Sequence, residues 1–468
     1  MDEFKIIIAG GSLVGLTLAL VLEKAGINYE LFEKGDLMPQ LGASIGLHPH
    51  TLRILDQLGV WADIEKEVIP LQHRFHFDGS GHCFEASEVL HNIQTILGRP
   101  IIFMERRRAL EILHSHIHGK SRLHANNAIS SYDELEDGVV VTTQDGLSHY
   151  GSILIGADGV HSRVRTLMAE KMSKTDLSLS QEIIRGFTSE YNCIFAVSRN
   201  DPSHPFIPDG TVHNVYYDNH SAIAAAGVPG LVFWFLFVKT GLTRTPNCPR
   251  FTDDDADALI EEYATVAPGP SYTIKDLWQA RVKGMLVPLE EGVLKQWSHN
   301  RVLLLGDSAH KATVNPGLGG NLAYEGIAHF ANTLVELLIE HQNPSQEKVS
   351  ELFAHMDQIH RSRAETVTKL SGQITRYETQ DNWFLKFASR CLVPWVSDNA
   401  KAKAYAAFSD GAPWLRFLPL PEQDADLAER KVTRGKASAL QYPCVSLFAM
   451  GTLGVGVIAM WYMRAKSR

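Results

Sequence analysis

Residues 5–15 read Lys5-Ile6-Ile7-Ile8-Ala9-Gly10-Gly11-Ser12-Leu13-Val14-Gly15, and this stretch decides the fold class. The apolar, β-branched run 5–9 is the pattern of a parallel strand buried on both faces. Leu16, Leu20 and Val21 then recur at helical spacing until Gly26 stops the helix. Residues 29–33 (Tyr-Glu-Leu-Phe-Glu) form a second strand and complete a βαβ unit. Gly10 permits the tight strand-to-helix turn, and Gly15 lets the helix pack closely on the strand. Ser12 stands where the dinucleotide pattern GxGxxG has its middle glycine. Its small side chain keeps the backbone near a phosphate and adds a hydroxyl. The helix N-terminus offers free N–H groups and partial positive charge to a pyrophosphate. Glu33 closes the second strand, where a carboxylate accepts from ribose hydroxyls and opposes the 2′-phosphate of NADP. This opening alone does not separate FAD from NAD.

Working outward, the spacing predicts helices over 50–58 and 107–116, a hairpin of 130–136 and 139–143 around Asp137-Gly138, and a strand over 149–155. The middle third changes character. Strand-like runs at 192–198, 212–217, 221–226 and 231–239 alternate with turns and predict a mostly antiparallel sheet. Thr252 caps a predicted helix over 253–264. The α/β pattern returns with a strand at 301–305 and a helix over 319–340, and 345–440 reads as helical between prolines. The expected division is therefore a nucleotide-binding part over 1–180, an inserted substrate sheet over 181–284, a second nucleotide-binding part over 285–375, a helical segment over 376–441 and a membrane helix over 442–463.

The composition fits that reading. A chain of 468 residues, 45% hydrophobic and 21% charged, has room for two or three domains. A net charge of −9 gives no basic footprint, so no nucleic-acid partner is expected. The 5 cysteines lie far apart without CxxC spacing, which speaks against a disulfide framework or a zinc site. No basic n-region precedes the first strand, so a signal peptide is not expected.

Two later motifs point to FAD. One is Gly156-Ala157-Asp158-Gly159-Val160-His161-Ser162-Arg163-Val164-Arg165. The other is Gly306-Asp307-Ser308-Ala309-His310, continuing into Pro316-Gly317-Leu318-Gly319-Gly320-Asn321 at a helix start. They resemble the DG and GD motifs of single-component flavin monooxygenases. Two further stretches also resemble family segments, Gly42-Ala43-Ser44-Ile45-Gly46 beside the flavin ring and Glu105-Arg106-Arg107-Arg108-Ala109-Leu110 near the FAD. Three adjacent arginines leave the register open, and the spacing to Leu110 and Leu113 favours Arg106. With a membrane helix at the end, the order of motifs is similar to fungal FAD-dependent monooxygenases of the paxilline-epoxidase kind, from indole-diterpene and meroterpenoid pathways.

The resemblance implies a glucose-oxidase-like α/β FAD-binding fold. It implies FAD contacts from Gly10, Ser12, Gly15, Glu33, Gly46, Arg106, Asp158, Asp307 and Gly320, with Asp307 on the ribityl chain and Gly320 in the helix start facing the flavin. It further implies NADPH or NADH as transient reductant, O₂ as co-substrate, and a flavin C4a-hydroperoxide that epoxidises a prenyl or terpenoid alkene. Tyr216 and Tyr217 alternate faces on one strand, and the resemblance favours Tyr216 as the acid or orienting hydroxyl. Relatives often carry an arginine where Asn192 stands, and asparagine lacks the charge to hold a phenolate. A phenol hydroxylase and a non-catalytic prenyl-binding protein remain the alternatives.

At the other end, residues 444–463 carry no charged side chain, about the length needed to cross a bilayer as a helix. Trp461, Tyr462, Arg464, Lys466 and Arg468 suit an interface. A single-pass anchor in the endoplasmic reticulum is expected, with the catalytic part cytosolic and a hydrophobic substrate drawn from lipid.

Overall fold

The computed structural model describes residues 4–39 and 44–425. Lys5–Ala9, helix Leu13–Ala25 and Asn28–Phe32 form the βαβ opening, and Gly26 ends the helix in the left-handed region (φ 71°). The first strand pairs in parallel with Asn28–Phe32 on one side and Ile153–Gly156 on the other. Ile6, Ile7 and Ile8 are buried because both sheet faces are covered. Val302–Leu304 and Ser298–His299 extend one edge of this sheet, and Leu123–His124 the other.

The predicted strand over 149–155 is two strands in different sheets. Ser148–Gly151 joins Val139–Thr143 and Ile129–Glu134 in a three-stranded antiparallel sheet, while Ile153–Gly156 enters the parallel one. Between them the Ser152 N–H donates to the Lys5 carbonyl at 2.7 Å and redirects the chain.

The second large sheet has eight strands, antiparallel except where Thr211–Tyr216 runs parallel to His73–Asp78. Its centre is Thr188–Arg199, Leu231–Arg244 and His220–Val228. It also takes in His73–Asp78 and Cys83–Ser87 from the first part of the chain and all of Arg281–Val293, so it draws on more than the 181–284 stretch. Along Leu231–Arg244 the side chains alternate. Trp234 and Leu236 pack in a core with Ile274, Leu277 and Trp278, whereas Phe235 and Phe237 face the nucleotide-binding half.

Helix Leu318–Glu340 begins at Gly317, whose φ of 69° favours glycine, and packs against the 33-residue helix Gln346–Glu378. Helices Trp383–Cys391 and Asp398–Asp410 follow. Among the described residues no helix is long and apolar enough to cross a membrane. The segment 442–463, read above as a membrane span, lies outside the described residues.

Candidate active site

A cavity of about 660 Å³ lies where the first turn, the GD segment and the eight-stranded sheet converge. That volume falls in the ordinary range for small-molecule and cofactor sites. Gly10, Ser12, Glu33, Gly46, Arg106, Asp158, Asp307 and Gly320 all line it. Gly15 lies beneath the wall instead. A Cβ there would stand 1.8 Å from the Gly10 carbonyl oxygen, so its role is to seat the helix against the turn.

At one end the Glu33 carboxylate accepts from the Gly11 N–H at 2.6 Å and the Gly35 N–H at 3.1 Å. These bonds fix its direction and leave lone pairs for a further donor. Next along the wall, Arg106 donates from Nη2 to the Ser12 hydroxyl at 2.5 Å. Burial lowers the Arg106 pKa, and nearby Asp307 and Tyr324 oppose that shift. Arg107 pairs with Glu111 at 2.9 Å and Arg108 with Glu67 at 2.5 Å, so of the three adjacent arginines only Arg106 lines the cavity.

Asp307 exposes 33% of its side chain and forms an ion pair with Lys311. Burial alone would raise its pKa, but Lys311 and Arg106 outweigh it and hold the carboxyl below its ordinary value. Asp158 behaves differently. Its oxygens accept from the Ser162 hydroxyl at 2.5 Å and from the N–H groups of Arg163 and Val164 at 2.7 and 3.1 Å. Burial raises its pKa despite those bonds. Asp158 therefore anchors the start of helix Arg163–Met172, and its carboxylate is committed there.

At the far end, Asn321 ties two loops together. It donates to the carbonyls of Gly46 at 2.9 Å and Gly317 at 2.6 Å and accepts from the His48 N–H at 2.9 Å. A Cβ on Gly46 would come within 3.1 Å of the Phe103 ring, and one on Gly320 within 3.2 Å of Ile45. The cradle fits FAD. It combines glycines where backbone must approach, an ionised carboxylate for a polyol, a buried guanidinium and a helix start aimed at the cavity.

The structure does not bring Tyr216 to this cavity. Val212, Asn214 and Tyr216 share one face of their strand, and Val212 is the one that reaches a second, adjoining space. Tyr216 sits at the other end, buried, with its hydroxyl 2.8 Å from His76 Nδ1 and its ring edge-on to Tyr377. Burial, with Glu378 nearby, pushes its phenol well above the usual tyrosine range. Tyr217 faces the other way, stacked on His220.

The adjoining space is an annex of about 90 Å³ that shares Phe103, Phe235 and Val314 with the main cavity. Leu90, Ile93, Val212, Ile223 and Phe237 give it an apolar wall, and its polar members are Arg74, Asn315, His48 and Tyr405. Asn315 falls in the stretch that carries the glycine-rich helix start. Arg74 and Tyr405 had no signal, because each enters from an element remote in sequence from the motifs.

Residues 3–348 match the FAD binding domain family. The FAD-dependent monooxygenase dpchE of Colletotrichum higginsianum is 34% identical over 475 residues, 99% of either chain. This chain belongs to the FAD-dependent monooxygenases. FAD-dependent monooxygenase ausM of Aspergillus calidoustus is 34% identical over 424 residues, 90% of each. Among solved structures, Klebsiella pneumoniae HpxO complexed with FAD and uric acid aligns with a TM-score of 0.69 at 19% identity, covering 88% of this chain and 97% of that one. Tetracycline destructase Tet(51) aligns with a TM-score of 0.62 at 15% identity, covering 90% and 100%. These structural likenesses speak for the α/β FAD-binding fold alone. With FAD as the monooxygenase's cofactor, Arg106, Ser12, Glu33 and Asp307 are polar side chains of the cavity wall that would hold it.

Proposed function

We propose that this monooxygenase epoxidises an alkene in a prenyl or terpenoid compound. The observation that carries the reading is the apolar wall facing the cofactor cradle, built from Phe103, Phe195, Phe235, Met285, Val287 and Leu289. A hydrocarbon chain is at home there, and the wall excludes water from the reacting carbons. In the overall reaction one oxygen atom of O₂ enters the C=C bond. The other leaves as water with two electrons and a proton from NADPH or NADH and one proton from solvent. FAD, when bound and reduced, supplies the electrophilic oxygen. The chain's part is to hold the cofactor through Arg106, Ser12 and Asp307 and to orient the alkene by packing.

Incubation with ¹⁸O₂, NADPH and prenylated phenols tests it. One labelled atom in the prenyl C=C is the expected result. Label on the ring carbon instead would make the enzyme a phenol hydroxylase, and an unlabelled product oxygen, taken from water, would remove the monooxygenation reading altogether.

We further infer that residues 444–463 tether the enzyme to the endoplasmic reticulum membrane with its catalytic part in the cytosol. The support is their freedom from charge over about the length of a membrane span. Carbonate washing of membranes is the test. Full-length protein released into the wash would overturn the inference.

A further inference from the structure

The annex carries an arginine that the cofactor cradle does not use. Arg74 stands on His73–Asp78, donates from Nε to Asn214 Oδ1 at 2.9 Å and from Nη2 to Glu378 Oε1 at 3.1 Å. Its Nη1 makes no hydrogen bond to any described residue and is not closed off from open space. The other Glu378 oxygen accepts from Asn315 Nδ2 at 2.6 Å. Asn315 is fixed in turn by Thr375, whose hydroxyl donates to Asn315 Oδ1 at 2.6 Å. One buried carboxylate thus holds Arg74 and Asn315, each with a donor to spare, and both line the annex as well as a smaller polar cavity beside His76, Glu85 and Tyr216.

The other polar groups of the annex are self-satisfied. The His48 ring bonds to the Pro316 backbone and to the Tyr405 hydroxyl, 2.5 Å from Nδ1. His48 is held neutral by burial, its pKa lowered to about 4. The annex therefore offers N–H donors at one spot of an apolar chamber. The charge of Arg74 is balanced by Glu378 behind it, so the spot favours a neutral acceptor over a carboxylate. A donor kept from water without a partner is costly unless a ligand oxygen meets it.

We propose that Arg74, positioned by Glu378, binds a neutral oxygen acceptor of the substrate, a ketone, ether or hydroxyl, at one end of its hydrocarbon chain. The oxygen-bearing end enters the annex and the chain runs back past Phe103 and Phe235 into the main cavity, where an alkene meets the flavin side. This gives the substrate class a polarity and an order: one oxygen function in the annex, the reacting alkene some distance along the chain. The inference rests on the prenyl reading above.

The test is binding to the FAD-loaded enzyme, read as perturbation of the flavin absorbance. Three probes share similar hydrocarbon and differ at the end: geranylacetone (ketone), β-farnesene (none) and farnesoic acid (carboxylate). Wild type should bind the ketone about tenfold or more tighter than the hydrocarbon, the worth of one hydrogen bond to a charged donor. The carboxylate should bind no better than the ketone. Arg74→Met should bring ketone and hydrocarbon together. Because that change leaves Glu378 without its cation, Arg74→Met with Glu378→Gln serves as the second variant and should show the same loss.

Ketone preference retained in both variants, a preferred carboxylate, or no binding of any probe would each overturn the proposal. The prenyl reading fails by a different measurement, the absence of ¹⁸O from the alkene. A bound ketone that is never oxygenated would leave Arg74 as an oxygen-binding group and remove the epoxidase.

Discussion

Arg106 and Ser12 meet at 2.5 Å across the cofactor cavity, although 94 positions apart in sequence. The contact joins the arginine segment to the first turn and leaves the Ser12 proton free to donate. Since the guanidinium is buried and its charge shared with Asp307, losing it removes a charge-assisted bond at the cofactor. Arg106→Met should weaken FAD by about 10- to 100-fold, the worth of a hydrogen bond to a charged group. Arg107→Met and Arg108→Met should leave the affinity within about twofold, since their partners are surface carboxylates. Fluorescence titration of the apoproteins with FAD measures all three, and equal losses would dissolve the distinction.

Asp307→Ala should yield largely colourless protein. The substitution takes away the ionised acceptor in the cavity wall and leaves Lys311 without its partner. Flavin content per polypeptide after purification is the readout, and wild-type content would show that Asp307 holds no part of the cofactor.

The cradle was legible because its residues sit in short motifs whose spacing is local. Gly10 to Gly15, Gly156 to Arg165 and Gly306 to Asn321 each carry their own turn chemistry, and each stretch contributes some of its residues to the cavity wall. The substrate side was not legible. Arg74 and Glu378 are 304 positions apart, and no periodicity in a single strand announces such a partner. The strand His73–Asp78 was unread for the same reason: it is completed by Thr211–Tyr216, which lies far along the chain. Alternation did place Tyr216 and Tyr217 on opposite faces. What it left undetermined was how far along the strand the cavity lies.

Tyr216→Phe should therefore leave FAD bound and product formation within about twofold, while costing roughly 1 kcal/mol of stability through the lost His76 bond. Urea unfolding and ¹⁸O₂ incorporation, run in parallel, separate the two effects. A large fall in oxygenation at unchanged stability would assign the hydroxyl to the chemistry after all.

Acid should destabilise the fold through its buried histidines. His48, His213 and His310 are each pushed by burial to about 4. In the folded chain they stay neutral, while in the unfolded chain they charge below the ordinary value of 6.5. Unfolding then takes up protons, so stability falls as pH drops from 6.5 towards 4, by about 2 kcal/mol for each such histidine at pH 5. His213 touches neither the cavity nor the annex, so His213→Gln isolates the effect. Its stability should depend less steeply on pH than wild type by about 1.4 kcal/mol per pH unit within that window. Equal slopes in urea unfolding would rule out a buried neutral His213.

Asp424 lies buried and accepts from Arg53 Nε at 3.1 Å and from Arg99 Nε and Nη2 at 2.9 and 2.7 Å. Arg53 comes from helix Pro49–Gln57 and Arg99 from the approach to strand Ile102–Glu105, so one C-terminal carboxylate clamps two early segments. Removing it deprives two buried guanidinium groups of their shared carboxylate, leaving Arg99 its ion pair with Asp56 at 2.6 Å and Arg53 the attraction of Asp410. Breaking a buried pair in this way costs about 3–5 kcal/mol. A chain ended at residue 441 keeps Asp424 and should be stable, FAD-loaded and recovered without detergent. A chain ended at residue 421 should lose several kcal/mol and much of its flavin, and Asp424→Ala in the 441 version should reproduce that loss. Urea midpoints and flavin content of the three proteins decide it. If the 421 and 441 versions match, the clamp adds nothing; if the 441 version also fails to fold, residues 442–463 belong to the folded core and the tether is wrong.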